Sequence, residues 1–148
     1  MTKAKHYAPE GSRSITPHLT VKGAQQAIEF YKKAFGATTR GVMADPGGIV
    51  MHAELQISDS VFYLNEESAE RGAKGPKTLG GTPVTIHLYV PDCDAIFKQA
   101  IAAGATEKMP LMNQFWGDRY GSVEDPYGHR WPSPPISKTS PNPRSGNA

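Results

Sequence analysis

Apolar and polar positions along this chain alternate in short blocks, and the blocks change period in a recurring order. In "TPHLTV" (16–21), Leu19 and Val21 fall on one face of a strand and Thr16, His18 and Thr20 on the other. The period then lengthens. Ala24, Ala27, Ile28, Tyr31 and Phe35 follow helical spacing, and Gly36 ends the run. "TTRGVMAD" reads as a weaker strand and "DPGG" as a turn. "IVMHAELQI" alternates strictly. Val50, His52, Glu54 and Gln56 share one face, and Met51, Ala53, Leu55 and Ile57 share the other. "SVFYLNE" is a fourth strand after a tight "SDS" turn. The order over 15–66 is β-α-β-β-β.

The same order returns over 84–131. "VTIHLYV" is a strand, "DCDAIFKQAIAAG" a helix with Asp92 as N-cap, and "TEKMPLM" and "RYGSVEDP" are strands. "HRW" begins a last strand after the "DPYG" turn. Aligning 18–38 with 87–106 matches nine of twenty positions, among them His18 with His87. The chain is therefore a duplicated α+β module. The polar connection over 67–83 has a length that usually marks function or disorder.

The 148 residues suffice for one compact domain. Hydrophobic content is 38%, and the deficit sits at the ends: residues 1–14 and 132–148 are polar or Pro-rich and read as flexible. A net charge of +2 with both signs interspersed gives no footprint for nucleic acid. No apolar run reaches membrane-spanning length and the first residues lack a signal-peptide core, so a cytoplasmic location is the expectation. The single cysteine, Cys93, excludes an internal disulfide and argues against a Cys-based metal site. It reads as a buried filler at a helix start.

The paired modules, with "AIEFYKKAFGA" after the first strand and "DPYGHRW" before the last, resemble the vicinal oxygen chelate superfamily, which includes glyoxalase I, extradiol dioxygenases, fosfomycin resistance enzymes and bleomycin-binding proteins. "VMHAELQISDSVFYLNE", "GGTPVTIHLYV" and "NQFWGDRYGSVEDPYGHRW" are similar to its PhnB-like branch. The resemblance implies two βαβββ modules with mixed sheets curled around a cleft, helices outside, and a homodimer. It implies a small-molecule ligand, and either lyase-like or dioxygenase-related chemistry or non-catalytic sequestration of a drug or metabolite. A degenerate member without present function is a third reading.

Superfamily enzymes typically hold one divalent metal. The usual ligand positions fall here on Thr16, Tyr63, Thr85 and Pro132, none of them a good ligand, which favours no cofactor. A shift of two residues keeps the strand face and moves along it by about 7 Å, so His18 and His87 are expected to face one cleft. With Glu54 or His52 they could hold zinc, nickel or iron; equally, these groups line a cavity and hydrogen-bond a ligand. Glu54 and His52 are the candidate acid–base residues, a carboxylate and an imidazole in a partly apolar cleft. Tyr63, Tyr89, Phe115, Trp116, Arg119 and Tyr120 are candidate substrate contacts, aromatic walls with a guanidinium suited to a planar or anionic molecule. Alternatively Trp116 closes the core and Arg119 pairs with Asp118 or Glu124. Trp131 shares the cleft phase if parity holds through "DPYG", and His129 reads as a turn residue.

The ending is unusual for the resemblance. Three prolines among residues 132–135 cannot form an interior strand, because each removes a ladder donor. The similar branch continues after Trp with a phrase like "SIATHIEDV". Deleting one base after the Trp codon of W-S-I-A-T-H-I-E-D-V can yield W-P-S-P-P-I-S-K-T, the phrase found at 131–139. The tail is thus expected to be a frameshifted ending. Resequencing the gene tests this: a one-base change should restore the longer phrase, and its failure to do so would discard the idea.

Overall fold

The computed structural model describes residues 7–117 and 119–133. The first module consists of β1 (His18–Val21), α1 (Ala24–Phe35), β2 (Thr38–Ala44), β3 (Val50–Ile57) and β4 (Ser60–Glu66). The connection carries a short helix, α2 (Pro76–Leu79), and an isolated bridge between Ser68 and Ala73. The second module has α3 (Cys93–Ala103), β5 (Thr106–Asn113), β6 (Arg119–Glu124) and β7 (Arg130–Pro132).

The first sheet has the order β1-β4-β3-β2, with β1 parallel to β4 and the rest antiparallel. The second has the order β5-β6-β7. The counterpart of β1 is an extended segment beside β7: Thr85 bridges Arg130, Ile86 N donates to Arg130 O (2.9 Å), and Leu88 N donates to Pro132 O (2.8 Å). Both modules therefore share one strand order, as the repeat predicted.

They differ where the ending differs. In the first module Tyr63 N donates to Pro17 O (2.8 Å) and β4 runs on to Glu66. Pro132 occupies the position matching Tyr63 and has no N–H to give, and β7 ends there. The tail from 134 onward lies outside the described residues. Helix capping differs as well. Gly23 has no side chain to cap α1, and the Glu66 carboxylate supplies the acceptor from β4, taking Gly23 N (3.0 Å) and Ala24 N (2.8 Å). α3 is capped by its own Asp92, which accepts from Ala95 N at 3.1 Å.

Strict alternation fails at one place. Val50 is buried and Met51 is 36% exposed, the reverse of the expected faces. The β2–β3 ladder pairs Ala44 with Val50 and Met43 with His52, so Met51 is an extra residue in a β-bulge. From His52 onward the expected faces hold, with Ala53, Leu55 and Ile57 buried.

The core lies between the sheets and the two helices. Tyr31, Phe35 and Phe62 of the first module meet Trp131 of the second; the Phe35 and Trp131 rings are 4.7 Å apart. Trp131 is therefore packed into the core junction. Asp125, only 2% exposed, lies at the heart of this junction. Its Oδ2 accepts a short hydrogen bond from Tyr31 Oη and another from Trp131 Nε1 (2.9 Å). Its Oδ1 accepts from Tyr127 N (2.9 Å) and His129 N (3.0 Å), shaping the "DPYG" turn. His129 is a turn residue as expected, and its Nε2 lies 3.0 Å from Thr20 O on the edge of β1. Gly128 has φ 96°, and a Cβ there would come within 2.7 Å of Pro76, so the turn seats against α2 only as glycine.

Burial, reinforced by the neighbouring Asp125, pushes the Tyr31 hydroxyl well above the usual tyrosine range. The stability this neutral phenol contributes is fully present below the unfolded tyrosine value near pH ~10. It is lost as the pH rises from there through the raised folded value, because the unfolded chain gives up the proton first. Tyr31→Phe should cost about 1–3 kcal/mol at neutral pH and flatten the alkaline limb of the stability curve. Asp125→Ala, which strands four donors, should cost at least about 3 kcal/mol. Urea unfolding of the variants across pH 7–11 reads both effects; unchanged midpoints would refute this account of the junction.

Candidate functional site

The face of the first sheet turned away from the helices carries the chemistry. The ladders place His18 beside Tyr63, Tyr63 beside Glu54 and Glu54 beside Gly41, one row across all four strands. His52 stands two residues before Glu54 on the same face. The His18 and Tyr63 rings meet edge-on at 5.7 Å, His52 and Tyr63 at 4.8 Å, and His18 and His52 at 5.8 Å. His52 Nε2 lies 3.5 Å from Glu54 Oε1, and each side chain is 33% exposed. Glu54 is thus partnered and reached by solvent, not walled in by apolar groups. Residues from three strands form one polar cluster because period-two alternation and ladder register agree there.

A cavity of about 380 Å³ adjoins this row at His18, Thr20, Met51, Asn65, Arg71 and Ala73. The Arg71 guanidinium Nη1 lies 3.4 Å from Met51 Sδ. Neither Arg71 nor Met51 stood out in the sequence. The bulge that turns Met51 outward left no mark in an apparently perfect alternation.

The second-module residues are distributed differently. The His87 ring stacks on Tyr89 (6.4 Å) and approaches Tyr120 (6.3 Å). His87 and Tyr89 line another cavity, of about 660 Å³, which His18, His52 and Glu54 do not line. The expected convergence of His18 and His87 on one cleft is therefore not seen within the chain. Each copy of the histidine phrase serves its own sheet.

Phe115 is 97% exposed, and its ring meets that of Trp116 at 5.0 Å; Trp116 meets Tyr120 at 6.4 Å. Arg119 does not join them. Its Nε and Nη2 hold Asp94 on α3 at 2.9 Å, and its Nη1 reaches Asn113 Oδ1 at 3.2 Å. Consecutive strand residues point to opposite faces, so Tyr120 and Arg119 cannot share a wall. Its partner is Asp94, not Glu124; Asp118 lies outside the described residues.

The model of the Glyoxalase/Bleomycin resistance protein/Dioxygenase superfamily matches residues 4–132. The chain belongs to this superfamily. An uncharacterized protein of Mycobacterium bovis is 49% identical over 121 residues, 80% of each chain. The solved structure of the Arabidopsis thaliana At5g48480 product shares 29% identity at a TM-score of 0.69, covering 82% of this chain and 97% of that one. The PhnB protein of Bacillus cereus has the same fold, with a TM-score of 0.68 at 18% identity, covering 84% and 100%.

The superfamily's divalent metal finds a poor donor set here. The usual positions carry Thr16, Tyr63, Thr85 and Pro132, two hydroxyls, a phenol and a pyrrolidine ring without a donor atom. The ladder puts His18 itself, rather than Thr16, beside Tyr63. Among the described residues no three His, Cys, Asp or Glu side chains are arranged to hold an ion, so the His18/His87/Glu54 set is not assembled in the chain. No helix among the described residues is long and apolar enough to cross a membrane.

Cys93 is buried at the start of α3, and burial, with Asp94 adding to it, pushes its thiol above the usual cysteine range. A thiol reagent at pH 8 should label native protein at least about tenfold more slowly than protein in denaturant, since the thiolate is the nucleophile. Equal labelling rates would show that the thiol is accessible.

Proposed function

We propose that this superfamily member binds an oxygenated small molecule on the open face of its first sheet, with His52 and Glu54 as a proton-transfer pair. The observation that carries this reading is the 3.5 Å approach of His52 Nε2 to Glu54 Oε1 beside His18 and Tyr63. A carboxylate at Nε2 orients the imidazole and leaves Nδ1 for a ligand. Tyr63 and His18 supply a hydroxyl and a further imidazole to polarise a carbonyl or hold a hydroxyl. The chemistry this suits is proton abstraction beside an oxygenated carbon, as in a lyase or isomerase. No step in it needs a metal.

A homodimer is part of the reading. Val42 and Met43 on β2, and Met109 and Met112 on β5, are exposed apolar side chains on otherwise open sheets. A second copy covering them would add His87, Tyr89 and Tyr120 to the site. Sequestration without turnover is the second reading, favoured by the exposed Phe115 and Trp116 rings, which suit stacking on a planar ligand.

Thermal-shift and turnover assays with the hemithioacetal of methylglyoxal and glutathione, catechol, fosfomycin and bleomycin separate these. Catalysis predicts that Glu54→Gln or His52→Ala lowers turnover by about 10²–10⁴-fold while binding persists. Stabilisation by bleomycin with no turnover of any probe would favour sequestration. Sedimentation of the wild type should give a dimer; a monomer with full binding would remove the second copy from the site.

A further inference from the structure

The cavity beside His18 has a chemistry of its own. Arg71 sits on a pinned hairpin tip: Ser68 and Ala73 exchange both backbone hydrogen bonds at 2.9 Å, and Gly72 N donates to Ala69 O at 3.1 Å. Behind the hairpin, Glu67 accepts from Gly75 N at 2.7 Å, and the Thr78 hydroxyl, followed by that N–H, holds its carboxyl below the usual range. The hairpin is thereby tied to the connection next to β1, and Gly75 packs against Thr20 and Val21. The guanidinium lies against Met51 Sδ, the side chain that the bulge turns outward.

None of the six cavity-lining residues is acidic. Among the described residues no carboxylate lies within ion-pairing distance of Arg71, whereas Arg119 and Arg130 each have one. Asn65 is occupied, taking the Thr20 hydroxyl (3.3 Å) and giving its amide to Glu66 O (2.9 Å). The planar fork of Arg71 and the imidazole of His18 both line this one space. A guanidinium fork matches the paired oxygens of a carboxylate or phosphonate. Glu54, the acid in the row on the sheet face, is already engaged with His52.

We propose that Arg71 and His18 form an oxyanion subsite, so that the ligand of this face is a small organic acid, a carboxylate or phosphonate with its oxygenated carbon a few bonds away over His52 and Glu54. The inference rests on the binding reading above and adds the charge of the ligand. The His18 and His52 rings are 5.8 Å apart, so an anion held against His18 reaches the proton-transfer pair with a short carbon chain.

The test uses the full chain and three probes of one shape: benzoate, phenylphosphonate and uncharged benzamide. Calorimetry gives affinity, and imidazole NMR signals of His18 and His52 report location. At least one of the two anions should bind tenfold or more tighter than benzamide, and which one identifies the acid class. Arg71→Ala should abolish the difference, and Arg71→Lys should keep part of it, since a point charge replaces a fork. Circular dichroism of each variant confirms folding. If all three probes move the histidine signals with equal affinity, or Arg71→Ala leaves the preference intact, the oxyanion subsite is refuted and the binding face stands. If none moves them at tens of millimolar, the face does not bind small ligands and both readings fall.

Discussion

The fold turns on one buried carboxylate. Asp125 accepts from a phenol on α1, an indole on β7 and two backbone amides of its own turn. Four donors compensate the desolvation of a group that would otherwise be costly to bury. Because Tyr31 belongs to the first module and Trp131 to the second, the same contacts set how the modules meet. His129, held in that turn, continues the link to the edge of β1. The strand that carries His18 is thus located by a turn more than a hundred residues away in sequence.

The binding face depends on a different constraint, the agreement of register across β1, β4 and β3. A one-residue slip of any of these strands would turn its polar side chain into the core. Leu19, Leu55 and Leu64, all buried, hold the register from the other face. The bulge at Met51 leaves the row His18–Tyr63–Glu54 intact and changes only what lies beside it. There it brings a thioether under Arg71.

The duplication is a source of asymmetry as well as of symmetry. Glu66 caps α1 from β4, while the second module ends its last strand at Pro132 and caps α3 with Asp92. Proline removes the ladder donor that Tyr63 provides in the first copy. Among the described residues, only the first sheet combines a seven-residue fourth strand with a histidine–carboxylate pair on its open face. The two copies of the histidine phrase began alike and occupy unlike surroundings.

By itself the sequence determined the duplicated βαβββ order, the superfamily, the amphipathic face of α1 and the shared phase of His18, His52 and Glu54. All of these rest on local periodicity and on a repeated phrase, which need no knowledge of distant contacts. Tertiary structure decided the rest. Whether His18 meets His87 depends on how two sheets are oriented, which alternation along one strand cannot encode. Proximity in sequence groups Arg119 with Tyr120, yet the pleat sends it to Asp94. Trp131 entered the core because the turn at Asp125 sets its parity. Arg71 gained a role only when a bulge and a pinned loop, both invisible to periodicity, brought it over the sheet beside His18.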